Sequence, residues 1–187
     1  MISRALALTA VGFALVSCAG TPAPPSQPER FGAPVASSPR DVRPYGQDPC
    51  RGPLAPNDWN ALGYLPAGRP QTLATGERAC EWRGPRNDQF VGITVSPARD
   101  ILVDTYRTRQ FALFQPISVI GLPGTQEQGS ADAVSCIVTV GTADGQGFIV
   151  DYTDGDLGRD LQADDPCGGA RRVAERIVAS LPPLPAK

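Results

Sequence analysis

The chain has 187 residues, a net charge of −2, five cysteines and no histidine. Without histidine it lacks the commonest general base, the commonest metal ligand and the usual partner of a nucleophilic serine or cysteine. The mixed, slightly acidic charge with no basic tract argues against nucleic acid as a partner.

Met1-Ile2-Ser3-Arg4 gives a positive start, and residues 5–16 are almost wholly apolar. That is the pattern of a secretory signal. The apolar run is short of the ~20 residues that a membrane-spanning helix needs. Leu15-Val16-Ser17-Cys18, followed by small Ala19 and Gly20, resembles the lipobox of bacterial lipoproteins. The expectation is that residues 1–17 are a signal peptide and that the Cys18 thiol takes lipid and becomes the first mature residue. Acyl chains such as palmitate would hold the protein on the extracytoplasmic face of the cell membrane, each buried methylene contributing roughly 0.8 kcal/mol.

Residues 18–47 are rich in Pro, Ser, Ala and Gly, as in Thr21-Pro22-Ala23-Pro24-Pro25. They lack hydrophobic periodicity and read as an extended tether. Residues 48–187 then form one domain with a single core.

Cys50, Cys80, Cys136 and Cys167 remain. An even number in an exported domain implies two disulfides. No C-x-x-C knuckle supports zinc, so no metal site is expected. Four cysteines allow three connectivities. Closure of loops of about thirty residues favours Cys50–Cys80 and Cys136–Cys167, each contributing roughly 3 kcal/mol.

The first element is a short helix within residues 53–63. Asn57 or Asp58 supplies the cap or first-turn acid, Trp59 and Leu62 share a face, and Gly63 ends it. Residues 79–83 alternate, with Cys80 and Trp82 on one face, and residues 89–95 alternate after a turn at 84–88, which predicts a hairpin. Ile101, Leu102, Tyr106 and Phe111 recur at helical spacing and predict a short helix within 99–110. Residues 111–114 and 117–120 read as extended, broken by Pro116, and Gly121-Leu122-Pro123-Gly124 reads as a turn. Residues 135–140 and 147–152 flank Asp144-Gly145 and form the clearest hairpin. Asp165-Pro166 opens a final helix, with Ala170, Val173, Ala174, Ile177 and Val178 on its apolar face. The expected fold is α+β: an antiparallel sheet of four to five strands, with an N-terminal and a C-terminal helix on one face.

The lipobox, the Pro49-Cys50 pair before a helix ending in Leu62-Gly63, the Cys80-Glu81-Trp82 strand, and Cys136 on a late strand before Asp165-Pro166-Cys167 stand together. With the Gly121-Leu122-Pro123 turn, they resemble the actinobacterial lipoproteins grouped as domain-of-unknown-function family 3558. The resemblance implies an envelope location, paired cysteines and an α+β fold, and it carries over no catalytic residue.

Asp151, Asp154, Asp156, Asp160, Asp164 and Asp165 form the densest polar cluster. They do not match a calcium loop and read as a solvated acidic loop. Ser96, Ser130 and Ser135 have no nucleophile motif around them. Glu77 and Glu81 are candidates for a carboxylate pair only in the sense that any exposed acids are. Trp59, Trp82, Tyr64, Phe111 and Phe114 read as core before they read as a pocket lining. Arg99, Arg107 and Arg109, near Asp100 and Asp104, read as a solvated mixed-charge surface. The functional expectation is a monomeric, non-enzymatic interaction module without cofactor, facing an envelope protein, lipid or glycan. The alternative is a carrier of a small apolar ligand in a pocket between sheet and helices.

Overall fold

The computed structural model describes residues 29–86, 88–155 and 165–185. Cys18, the signal segment 1–17, the spacer up to residue 28, and Asp156, Asp160 and Asp164 lie outside the described residues.

The fold is α+β, as expected, but its single antiparallel sheet has seven strands rather than four or five. These are β1 (Arg69–Thr72), β2 (Arg78–Arg83), β3 (Phe90–Ser96), β4 (Leu113–Val119), β5 (Leu122–Gln128), β6 (Ser135–Ala143) and β7 (Gln146–Thr153). Their order is β1-β2-β3-β7-β6-β5-β4. Two meanders therefore meet where β3 pairs with β7. Three helices are present, α1 (Pro56–Ala61), α2 (Ile101–Thr108) and α3 (Pro166–Ser180), with 3₁₀ turns at Arg43–Tyr45 and Pro49–Arg51.

The extra strands come from segments that carry turn-forming residues. β1 is a fully exposed edge strand with the sequence Arg-Pro-Gln-Thr, so it has no apolar alternation to read. β4 runs straight through Pro116, because it is the opposite edge and a missing N–H is tolerated there. The turn expected at 121–124 lies instead at Ile120-Gly121, where both residues have positive φ (47° and 79°), as a two-residue hairpin demands. Pro123 pairs with Ser118 but stands before the first β5–β6 partner, Gly124. Its lack of an N–H therefore costs no bond to β6. A Cβ on Gly124 would lie 2.6 Å from the Thr139 carbonyl oxygen, so glycine is required by close approach rather than by a turn.

Helices cover both faces of the sheet rather than one. On the first face, Cys80, Trp82, Ile93, Val138, Val140, Phe148 and Val150 join Val173, Ile177 and Val178 of α3 in the main core. Asp165 caps α3 by accepting from the Cys167 and Gly168 N–H groups. In α1, Asp58 accepts from the Ala55 N–H, and Trp59 stacks on Trp82 at 4.0 Å. Both disulfides lie in this layer. Cys50–Cys80 ties the segment before α1 to β2, and Cys136–Cys167 ties β6 to the first turn of α3. These are the pairs that loop closure favoured.

Among the described residues, α2, on its way from β3 to β4, covers one end of the second face. Two glycines allow its approach. A Cβ on Gly141 would lie 2.9 Å from Leu102 Cδ2, and one on Gly147 would lie 2.7 Å from Ile101 Cγ2. Asp100 caps α2 by accepting from the Val103 N–H.

Part of the segment read as a tether is packed onto the domain. Ala33 joins Leu102 and Tyr106 in a small second core against α2. Arg30 pairs with Asp100 at 2.8 Å. Val42 is 1% exposed, and its N–H donates to Gln146 Oε1. Arg40 bridges to Pro183 beyond α3. Residues 30–42 therefore form a strap that packs on α2 at its start and on β6, β7 and the segment after α3 at its end, and their proline content hid this because their apolar anchors are single residues.

Candidate functional site

Strand pairing places one row of residues across the second face. Glu81 on β2 stands opposite Gly92 on β3, which stands opposite Asp151 on β7, then Ile137 on β6, Glu127 on β5 and Phe114 on β4. Adjacent strands are ~4.8 Å apart, so Glu127 and Asp151 lie roughly 10 Å apart along this row.

Between this face and α2 lies a cleft of about 290 Å³. Its floor is Ile137, Thr139, Ile149 and Glu127, and its wall is Ile101, Thr105 and Thr108 of α2. Phe111, Arg99 and Thr75 stand at its rim. The strand period explains the floor: every second residue of β5, β6 and β7 faces α2, and the partners between them face α3.

Glu127 is the unusual member. Its side chain is on a residue only 5% exposed, and Oε1 is buried with no hydrogen-bond partner among the described residues. The nearby cations are engaged elsewhere. Arg99 pairs with Glu77 at 2.7 Å and with Asp104 at 3.4 Å, and Arg107 pairs with Asp104 at 2.7 Å. Burial without a countercharge pushes the Glu127 carboxyl up to about 7. Asp151 is also raised, first by burial and then by the charge of Glu81. A buried carboxyl oxygen without a hydrogen bond carries a desolvation cost on the order of a few kcal/mol. Such groups are sparse in folded proteins and concentrate at sites that meet a ligand.

The residues singled out from sequence are dispersed. Asp154 accepts from Arg86 and Asp165 caps α3, so the described members of the acidic loop serve separate structural contacts. Among the described residues, no group of three or more potential metal ligands comes together. Glu81 pairs with Arg83 at 2.6 Å, and Glu77 accepts from Ser96 and Arg99, so these two do not form a facing pair in the cleft. Trp59, Trp82 and Tyr64 are core, as the bland reading had it. Phe114 packs edge-on against Tyr106 beneath Arg109, and only Phe111 reaches the cleft rim. Glu127 escaped notice because β5 itself was unread. On a strand, Thr125 and Glu127 share a face with the β6 floor, and that register is the one signal by which it is found.

Beyond the chain's own geometry, a family model described as "Protein of unknown function (DUF3558)" matches residues 13–180. No curated protein and no solved structure matches the chain.

Proposed function

The chain belongs to the DUF3558 family of proteins of unknown function, and we propose that it is an actinobacterial cell-envelope lipoprotein that binds a small ligand in the cleft under α2. The reading is non-enzymatic and monomeric, with Cys18 as the lipid-bearing residue. The observation that carries the binding role is Glu127, a buried side chain on the floor of a preformed cleft whose Oε1 has no hydrogen-bond partner among the described residues. It favours a ligand binder over a module that docks a partner on a flat surface. The cleft mixes polar and apolar walls, so the ligand is amphipathic rather than purely apolar.

The anchor rests on the Leu15-Val16-Ser17-Cys18 motif. No described helix is long and apolar enough to cross a membrane. In cells making the full chain, Cys18→Ala is expected to move the protein from the membrane fraction to the soluble envelope fraction. Retention of the variant in membranes would remove the lipid anchor from the account. Protein extracted from membranes with its lipid intact should also carry a small molecule detectable by native mass spectrometry. Thr108→Trp, at the exposed cleft wall, should lose that molecule, and equal recovery from both proteins would count against the cleft.

A further inference from the structure

The charge pattern around Glu127 narrows what the cleft can hold. The titratable groups that face it are Glu127 and Asp151 from the sheet, Asp104 and Arg107 from α2, and Arg99 with its partner Glu77 at the rim; Glu81 lies farther along the sheet row. Both arginines are already matched to Asp104 and Glu77. What is left over is negative. An anion placed here would meet Glu127 and Asp104, and among the described residues the two arginines at the cleft are already paired with carboxylates. A neutral hydroxyl could donate to the Glu127 carboxylate but would leave the charge uncompensated. A cation supplies both the donor and the countercharge.

Size and lining give the rest of the ligand. About 290 Å³ holds on the order of ten non-hydrogen atoms, at the ~30 Å³ a water occupies in the liquid. Beside the carboxyl, Ile137 and Ile149 offer an apolar strip on which a short hydrocarbon can lie.

Resting on the ligand-binding reading above, we propose that the cleft selects a small organic cation: an aliphatic amine whose ammonium group pairs with the Glu127 carboxylate while its hydrocarbon body lies on Ile137 and Ile149. Binding is coupled to the proton on Glu127, since the cation replaces it. With that carboxyl raised by burial to about 7, affinity rises as pH rises, by about thirtyfold from pH 5.5 to pH 8 if only Glu127 titrates. Asp151, raised less, adds in the same direction.

The test uses the whole chain carrying Cys18→Ala, free of detergent, and three probes of one shape: n-pentylamine, 1-pentanol and pentanoate. Methyl NMR shifts of Ile137 and Ile149 report binding. The expected result is saturable binding of n-pentylamine at least tenfold tighter than either control, stronger at pH 8 than at pH 5.5. Glu127→Gln should reduce the amine to the level of 1-pentanol. If 1-pentanol binds as tightly as the amine, or Glu127→Gln keeps the amine preference, cation selection is overturned and the cleft remains a binding site. If none of the three probes shifts a cleft methyl up to its solubility limit, the ligand-binding reading falls as well.

Discussion

Replacing Glu127 with glutamine is expected to raise the unfolding free energy at pH 8 by on the order of 3 kcal/mol. The sign follows from the direction of the shift. The Glu127 carboxyl lies at about 7 in the folded protein against an ordinary value of 4.5. Below pH 4.5 it is protonated in both states and costs nothing. Between 4.5 and 7 the unfolded chain releases the proton while the folded chain keeps it, so stability falls as pH rises. Above 7 the full difference remains, at about 1.4 kcal/mol for each tenfold change. Glu127→Gln removes this penalty and should match the parent near pH 4.5 while exceeding it at pH 8. Asp41 is lowered by its hydrogen bonds to Arg43, so its contribution is lost only in more acidic solution and leaves this window clear. Urea unfolding at both pH values measures the effect. Equal stability of variant and parent at pH 8 would show that the carboxyl has a partner. A substitution that stabilises the fold while abolishing amine binding is the pattern expected of a residue kept for its site.

The opposite sign is expected for the second disulfide. Removing both Cys136 and Cys167 by alanine substitution should cost on the order of 3–4 kcal/mol, from the freed loop entropy of a 31-residue separation. For a domain of this size that lowers the melting temperature by roughly 10 °C. The bond joins β6, in the middle of the sheet, to the capped first turn of α3, and both cysteines are fully buried. Its loss should free the start of α3 while leaving the α2 cleft on the other face intact. Calorimetry, with amine binding measured beside it, separates the two. An unchanged melting temperature would mean that Asp165 capping and the Val173–Ile177 stripe already fix the helix.

What the sequence made legible follows from where local signals agree with tertiary demands. The β6–β7 hairpin, α3 with its acid-proline start, and the cysteine pairing by short loop closure all follow from residues close to one another. The two strands not expected from the sequence, β1 and β5, carry Pro70 and Pro123, and Pro116 splits in sequence a strand that runs unbroken as β4. Gly124 looked like a turn residue, yet it is there because Thr139 approaches too closely for a Cβ. The strap at 30–42 was hidden because its anchors, Ala33 and Val42, are isolated among prolines and serines. The site needed the full sheet order. Glu127 and Ile149 are neighbours of one cleft only because β5, β6 and β7 lie side by side with α2 crossing over them.

The most direct measurement is a carbon NMR titration of the Glu127 side-chain carboxyl in the ligand-free whole chain. The account predicts a midpoint near 7 that falls when n-pentylamine is added, because the cation favours the ionised form. A midpoint near 4.5, unmoved by the amine, would contradict it.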